Sequence, residues 1–320
     1  MHGTERSLVR VTTVSDHRTT GRVMVEDVEL AFGHWSPGAP TIVGIHGLTA
    51  SHLNFIGLAE RLEGRQSVWA PDLRGRGASD KPPGPYGIRR HAVDVAQAMR
   101  ASGIGRSVVV GHSMGAYIGA ALAVEFPELV AGLVMLDGGY LLDPPADFDP
   151  DQLLDLLLKP QIERLRTTYP SRAAYRDFWR GLPTFQGANW NPWVEAYLDY
   201  DLGGEEPALR PRASEAAVRE DFRSMANRPD STARLQAIKS PVLVIRAEHG
   251  VAPGQPPVLP DAVMDQIREL IPSVEEHRLP GTTHYTIALT DPAVTVVAGL
   301  IDDFATRCQQ AAPAPTNLRG

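Results

Sequence analysis

The chain reads as an α/β protein: a mostly parallel sheet with helices on both faces. Three observations lead there. Short apolar runs alternate with stretches of helical spacing through the first 139 residues, and the same rhythm resumes after residue 238. Between one run and the helix after it stands Gly111-His112-Ser113-Met114-Gly115. Alternating strands and helices are best buried as a parallel sheet under two helical layers.

Val28–Trp35 alternates apolar and polar residues, the period of a strand with one buried face. Residues 41–45 and 67–70 are short buried runs, and 52–62 between them has helical spacing. Ile88–Ala101 repeats that spacing, 107–110 is a β-branched strand, and a small-residue helix runs from the elbow to about residue 126. Residues 132–136 form another buried strand. Late in the chain, 241–246 and 274–279 read as strands, 262–271 and 291–307 as helices.

Between about 140 and 237 the rhythm breaks into a Leu-, Tyr- and Trp-rich stretch punctuated by ten prolines, the first at 144 and the last at 229. Short helices joined by proline turns are expected. The stretch follows a strand directly, which places it over the carboxyl edge of the sheet, where open α/β sheets bind ligands. The expected organisation is a core of residues 1–139 and 238–308, a helical cap of 140–237, and a disordered polar tail of 309–320.

With 43% hydrophobic and 22% charged residues, the composition is that of a soluble globular protein with a sizeable core. A net charge of -7 argues against a nucleic-acid surface. A single cysteine, Cys308, excludes an intramolecular disulfide or a cysteine-rich metal site. The first six residues lack a signal peptide's apolar stretch, and no run approaches the roughly 20 apolar residues of a membrane span. A cytoplasmic protein without membrane partners is expected; oligomeric state is not legible.

The five-residue elbow carries the chemistry. Valines before it and a helix after it supply the strand–turn–helix context of a G-x-S-x-G nucleophile, with glycines that allow a sharp turn. Ser113 is the expected nucleophile; the plainer reading is a tight turn with a small residue. A serine hydroxyl needs a base. Among ten histidines, His284 in Gly281-Thr-Thr-His lies in a loop after a strand and before the last helix, where an imidazole reaches Ser113. His249 is the second candidate. His112 is read as pointing away from Ser113, as packing or pocket lining. Two amides must meet the developing oxyanion, an interaction worth about 3 kcal/mol per donor. The amide of Met114 and that of Leu48, in the loop His46-Gly47-Leu48, are the expected donors, with Gly47 allowing the loop to lie close.

With these stretches in place the chain resembles the α/β-hydrolase superfamily. The resemblance rests on His46-Gly47, on Pro71-Asp72-Leu73-Arg74-Gly75-Arg76-Gly77-Ala78-Ser79-Asp80, on the elbow, on 133–137, on 241–246 and on Gly281–His284, in the family's order. It implies an α/β-hydrolase fold with an eight-stranded sheet, a helical cap inserted after strand 6, and a serine–histidine–acid triad. The resemblance points to the branch of esterases, lactonases, carbon–carbon bond hydrolases and perhydrolases. Serine at the elbow speaks against its dehalogenases and epoxide hydrolases, which carry aspartate there.

The acid departs from pattern. Laying Val242–Ala247 on the family pattern puts Gly250 where many members have aspartate. Glu248 is close by. Asp137, at the end of the 132–136 strand, is where some lipases and lactonases of the family take theirs. Both strands end on the same edge, and Asp137 is preferred with Glu248 as the alternative. Either would stabilise the imidazolium.

Asp72, Arg74 and Arg76 read as a structural turn cluster. Asp143, Asp147, Asp149 and Asp151 lack the glycine and terminal glutamate of a calcium loop. Tyr140, Trp179, Trp190, Trp193 and Tyr197 are read first as core; Tyr140 and the three tryptophans, with Gly47 and His112, are also the candidates for an apolar substrate pocket. No phosphate loop or dinucleotide fingerprint is present, so no cofactor and no metal are expected. The expected function is a serine hydrolase acting on a small ester or lactone. The alternatives are a ligand receptor or a non-hydrolytic lyase or cyclase on the same scaffold.

Overall fold

The computed structural model describes residues 9–15, 18–36, 42–141 and 149–310. Asp143, Asp147, the first six residues and nearly all of the expected tail lie outside them. In chain order the elements begin with β1 (Val9–Ser15), β2 (Arg18–Val25), β3 (Val28–Trp35) and β4 (Ile42–Ile45). A 3-10 turn, His52–Phe55, leads into α1 (Ile56–Arg61). Then come β5 (Val68–Pro71), α2 (Ile88–Ala101), β6 (Ser107–His112), α3 (Met114–Glu125) and β7 (Val130–Leu136). The insert contributes α4 (Pro150–Arg166), α5 (Arg172–Arg180), α6 (Pro192–Asp201), the small ribbon β8 (Leu202–Gly203) and β9 (Arg210–Pro211), α7 (Glu215–Ala226) and α8 (Arg228–Ala237). The core resumes with β10 (Val242–Ala247), α9 (Asp261–Leu270), β11 (Glu275–Leu279), α10 (Thr286–Leu289) and α11 (Ala293–Gln310).

Nine strands form one sheet in the order β1-β2-β3-β5-β4-β6-β7-β10-β11. From β5 to β11 every pairing is parallel, and β1 to β3 add an antiparallel edge. The fold is therefore α/β with a mostly parallel sheet, one strand larger than the eight the family resemblance implies. The additional strand is β1, hairpinned onto β2. Both carry Thr and Arg on half-exposed faces, so neither presents the buried run that marks a strand in sequence.

The central strands β4, β6 and β7 are buried on both faces, as parallel strands under two helical layers must be. Their registers matter for the site. Ile45 pairs with Gly111, His112 with Leu136, and Ile245 with Leu136. The carboxyl ends of β4, β6, β7 and β10 are thus level, and the loops leaving them start side by side. No helix among the described residues is long and apolar enough to cross a membrane.

Candidate active site

Ser113 sits between β6 and α3 with φ 56° and ψ -120°. A non-glycine residue at positive φ costs about 1–3 kcal/mol and persists only where its surroundings hold it. Here the holding is visible. The Ser113 amide donates to Leu136 O at 3.0 Å and its carbonyl accepts from Ala116 N at 3.0 Å. The strand and helix close so tightly that a Cβ on Gly111 would collide with the Gly115 carbonyl, and one on Gly115 with that of Ile45. Those collisions explain both glycines of the motif.

Asp137, the first residue past β7, also has positive φ, 47°. Its amide donates to Ile245 O at 2.8 Å, and its fully buried carboxylate accepts from Ala247 N at 2.9 Å through Oδ1. Oδ2 lies 2.7 Å from His284 Nδ1. The carboxylate accepts from Nδ1, which makes Nδ1 the protonated nitrogen and leaves Nε2 with a free lone pair.

The His284 loop is held at four points. His284 N donates to Gly250 O at 2.9 Å, and Thr283 and Thr286 exchange amide-to-hydroxyl bonds at 2.8 and 3.2 Å. His112 Nε2 donates to the His284 carbonyl at 3.0 Å, the two rings 4.7 Å apart. His112 thus both packs on the His284 ring and tethers the loop that carries it. Burial, then the neighbouring His284, push the His112 pKa well down, so it makes that bond as a neutral donor. No hydrogen bond joins the Ser113 hydroxyl to the imidazole among the described residues.

Glu248 is placed otherwise. Its carboxylate accepts from Gly281 N at 2.7 Å and lies 3.4 Å from Arg278. The Gly281 amide holds its pKa below the ordinary value. His249, whose amide donates to Thr282 O, is 3.9 Å from that same carboxylate.

The loop after β4 lies against Ser113: a Cβ on Gly47 would stand 3.1 Å from Ser113 Cβ and 3.5 Å from Oγ. His46 shapes this loop. Its Nε2 accepts from Leu73 N at 3.0 Å, so its proton is on Nδ1, which donates to Gly47 O at 2.8 Å. In a trans peptide C=O and N–H point oppositely. Pulling the Gly47 carbonyl one way aims the Leu48 amide the other. Neither the Leu48 nor the Met114 amide has an acceptor among the described residues. Burial drives the His46 pKa down to about 4 from 6.5. Unfolded chains therefore bind more protons across that interval, and stability must fall as pH drops from about 6.5 to about 4. The loss is roughly 3 kcal/mol at most from this residue, and His112 acts in the same direction. Urea unfolding at the two ends of the window measures it; equal stability at both would contradict the neutral, buried assignment.

The aromatic candidates fall into two groups. Trp179, 3% exposed, meets Tyr285 edge-on at 5.7 Å, and Tyr285 meets His284 at 6.0 Å. Tyr140 is buried and bonds Thr232 at 2.7 Å. Trp190 lies under Arg180 and donates to Glu195, whereas Trp193 packs on α1 and donates to Glu60 at 2.7 Å. These last two brace the insert's helix α6, one from within the insert and one against the core, and neither contacts His284. The turn cluster also divides. Asp72 accepts from His52, Tyr200 and Ala78, Arg74 pairs with Asp94, and Arg76 pairs with Asp221 of α7. No residue spacing signals these last partners.

A strained serine at a β-strand–helix elbow, with an Asp-anchored histidine packed on the elbow's His112 at the sheet's carboxyl edge, defines a class. The chain belongs to the alpha/beta hydrolase fold family, whose model matches residues 40–289. It is 28% identical over 287 residues to the 2-(acetamidomethylene)succinate hydrolase of Mesorhizobium japonicum, covering 89% of this chain and 95% of that one. The crystal structure of E-2-(acetamidomethylene)succinate hydrolase superposes with a TM-score of 0.75 at 24% identity, over 91% of this chain and all (100%) of that one. The enol-lactonase of Burkholderia xenovorans LB400 superposes with a TM-score of 0.65 at 20% identity, over 89% and 99%. At those identities the two superpositions speak to fold alone.

Proposed function

We propose that the protein is a serine hydrolase that opens a small ester or lactone through an acyl-enzyme. Ser113 attacks the carbonyl, His284 Nε2 takes its proton, and Asp137 steadies the imidazolium. The Leu48 and Met114 amides receive the oxyanion. Water activated by the same histidine then releases the acid. The observation that carries this reading is the 2.7 Å contact of Asp137 with His284 Nδ1 next to the strained elbow, for it sets the tautomer that a base requires. Asp137 is the acid of this proposal, and Glu248 is a clamp on the turn at Gly281. The insert, residues 140–237, serves as the cap, with Trp179 and Tyr140 on its apolar inner side. The Mesorhizobium japonicum relative, a 2-(acetamidomethylene)succinate hydrolase, supports hydrolysis of a small carbonyl-bearing molecule.

The test is a panel of esters, lactones, thioesters and amides of small acids. Turnover fastest on esters or lactones is the expected result. Preferential cleavage of amides would move the substrate class. Binding of panel members without turnover would favour the receptor alternative.

A further inference from the structure

Arg76 lies in the loop after β5 with its side chain fully buried, and the catalytic reading gives it no part. Its Nε donates to Leu48 O at 3.0 Å and its NH1 to Arg74 O at 3.2 Å. The same NH1 pairs at 2.5 Å with Asp221, also fully buried, on α7 of the insert. Asp221 in turn accepts from Gly87 N at 2.6 Å and His91 Nε2 at 2.9 Å. Burial would raise the Asp221 pKa, but His91 and Arg76 together hold it well below the ordinary carboxylate value, so the carboxylate stays ionised.

This is more than an anchor between domains. His46 fixes the Gly47–Leu48 peptide plane through the Gly47 carbonyl, and Arg76 fixes the next plane through the Leu48 carbonyl. With both planes held, the backbone dihedrals of Leu48 have no freedom, and its N–H has one direction. The insert seats on α2 in the same place: Tyr86 N, Gly87 N and Ile88 N, at the start of α2, donate to Glu220, Asp221 and Ser224 of α7. Of these three α7 side chains only Asp221 also reaches the arginine that holds Leu48.

We propose that Arg76, held by Asp221, is a positioning residue that aims the Leu48 amide at the oxyanion and ties that aim to the seating of the insert. The inference rests on the catalytic reading above. It concerns the transition state, since substrate in its ground state carries no oxyanion.

The decisive variant is Arg76→Lys, which keeps a buried cation for Asp221 but lacks the planar fork that reaches Leu48 and Asp221 together. Asp221→Asn, nearly isosteric, removes the anchor. Glu220→Gln and Ser224→Ala disturb the α7–α2 seat without touching Arg76. With folding checked by circular dichroism, kcat and KM are measured on an activated ester, together with affinity for a boronic acid that mimics the tetrahedral state. Arg76→Lys and Asp221→Asn are expected to lower kcat and boronate affinity in parallel, by about tenfold to a hundredfold, with KM within about twofold. The two controls are expected to stay near wild type. Unchanged kcat in folded Arg76→Lys, a rise in KM alone, or equal losses in the controls would overturn the proposal. If Ser113→Ala retained turnover, the catalytic reading itself would fall and this inference with it, a result separable from a silent Arg76 variant in a Ser113-dependent enzyme.

Discussion

Ser113→Ala is expected to lower turnover of an activated ester by roughly four to six orders of magnitude while leaving the unfolding midpoint in place. The size follows from the covalent route proposed above, in which His284 without the hydroxyl has no nucleophile to deprotonate and only the oxyanion donors and binding remain. The neutrality toward folding follows from the local geometry. Ser113 is held through its amide and carbonyl, and alanine keeps both bonds and the same Cβ at φ 56°. Its hydroxyl makes no hydrogen bond among the described residues that the substitution would break. Thermal unfolding and steady-state kinetics on the same preparation separate the two effects.

The second large effect is expected at Asp137. In Asp137→Asn the new side chain keeps its oxygen on Ala247 N, where an acceptor is needed, and turns its NH2 toward His284. The imidazole must then accept at Nδ1, which moves its proton to Nε2, and that nitrogen can no longer take the Ser113 proton. A loss of about ten-thousandfold in kcat is expected, the scale of a tautomer error in such triads. Glu248→Gln is expected to stay within about threefold, because an exposed carboxylate bonded to Gly281 N contributes only local turn stability. The reverse ranking of the two variants would reassign the acid.

Part of this was legible in the residues. β3 and α2 read true to their ends: Val28, Leu30 and Phe32 recur at a strand's period, although β3 is buried on both faces over residues 30–33, and α2 repeats its apolar residues at helical spacing. β1 and β2 were illegible: an edge hairpin of Thr and Arg with Gly21 at its centre carries no burial pattern. The insert's helices were visible only as proline-punctuated apolar turns, and which wall Trp193 faces was invisible until α1 lay beside it. At the site, the elbow and the His284 loop stood out by motif. The carboxylate partner of His284 did not, because Asp137 and Glu248 leave neighbouring strands on one edge, and what separates them is which one the imidazole turns to. His46 and Arg76 were hidden for a different reason. Each acts through a backbone carbonyl, and hydrogen bonds to main chain leave no residue-type signature.

The most direct measurement is mass spectrometry of the protein after exposure to a fluorophosphonate, with His284→Ala alongside. One adduct per chain, on the peptide bearing Ser113 and formed far more slowly in the variant, is what an imidazole-activated alcohol produces. A wild-type protein left unmodified, or modified elsewhere, would contradict it.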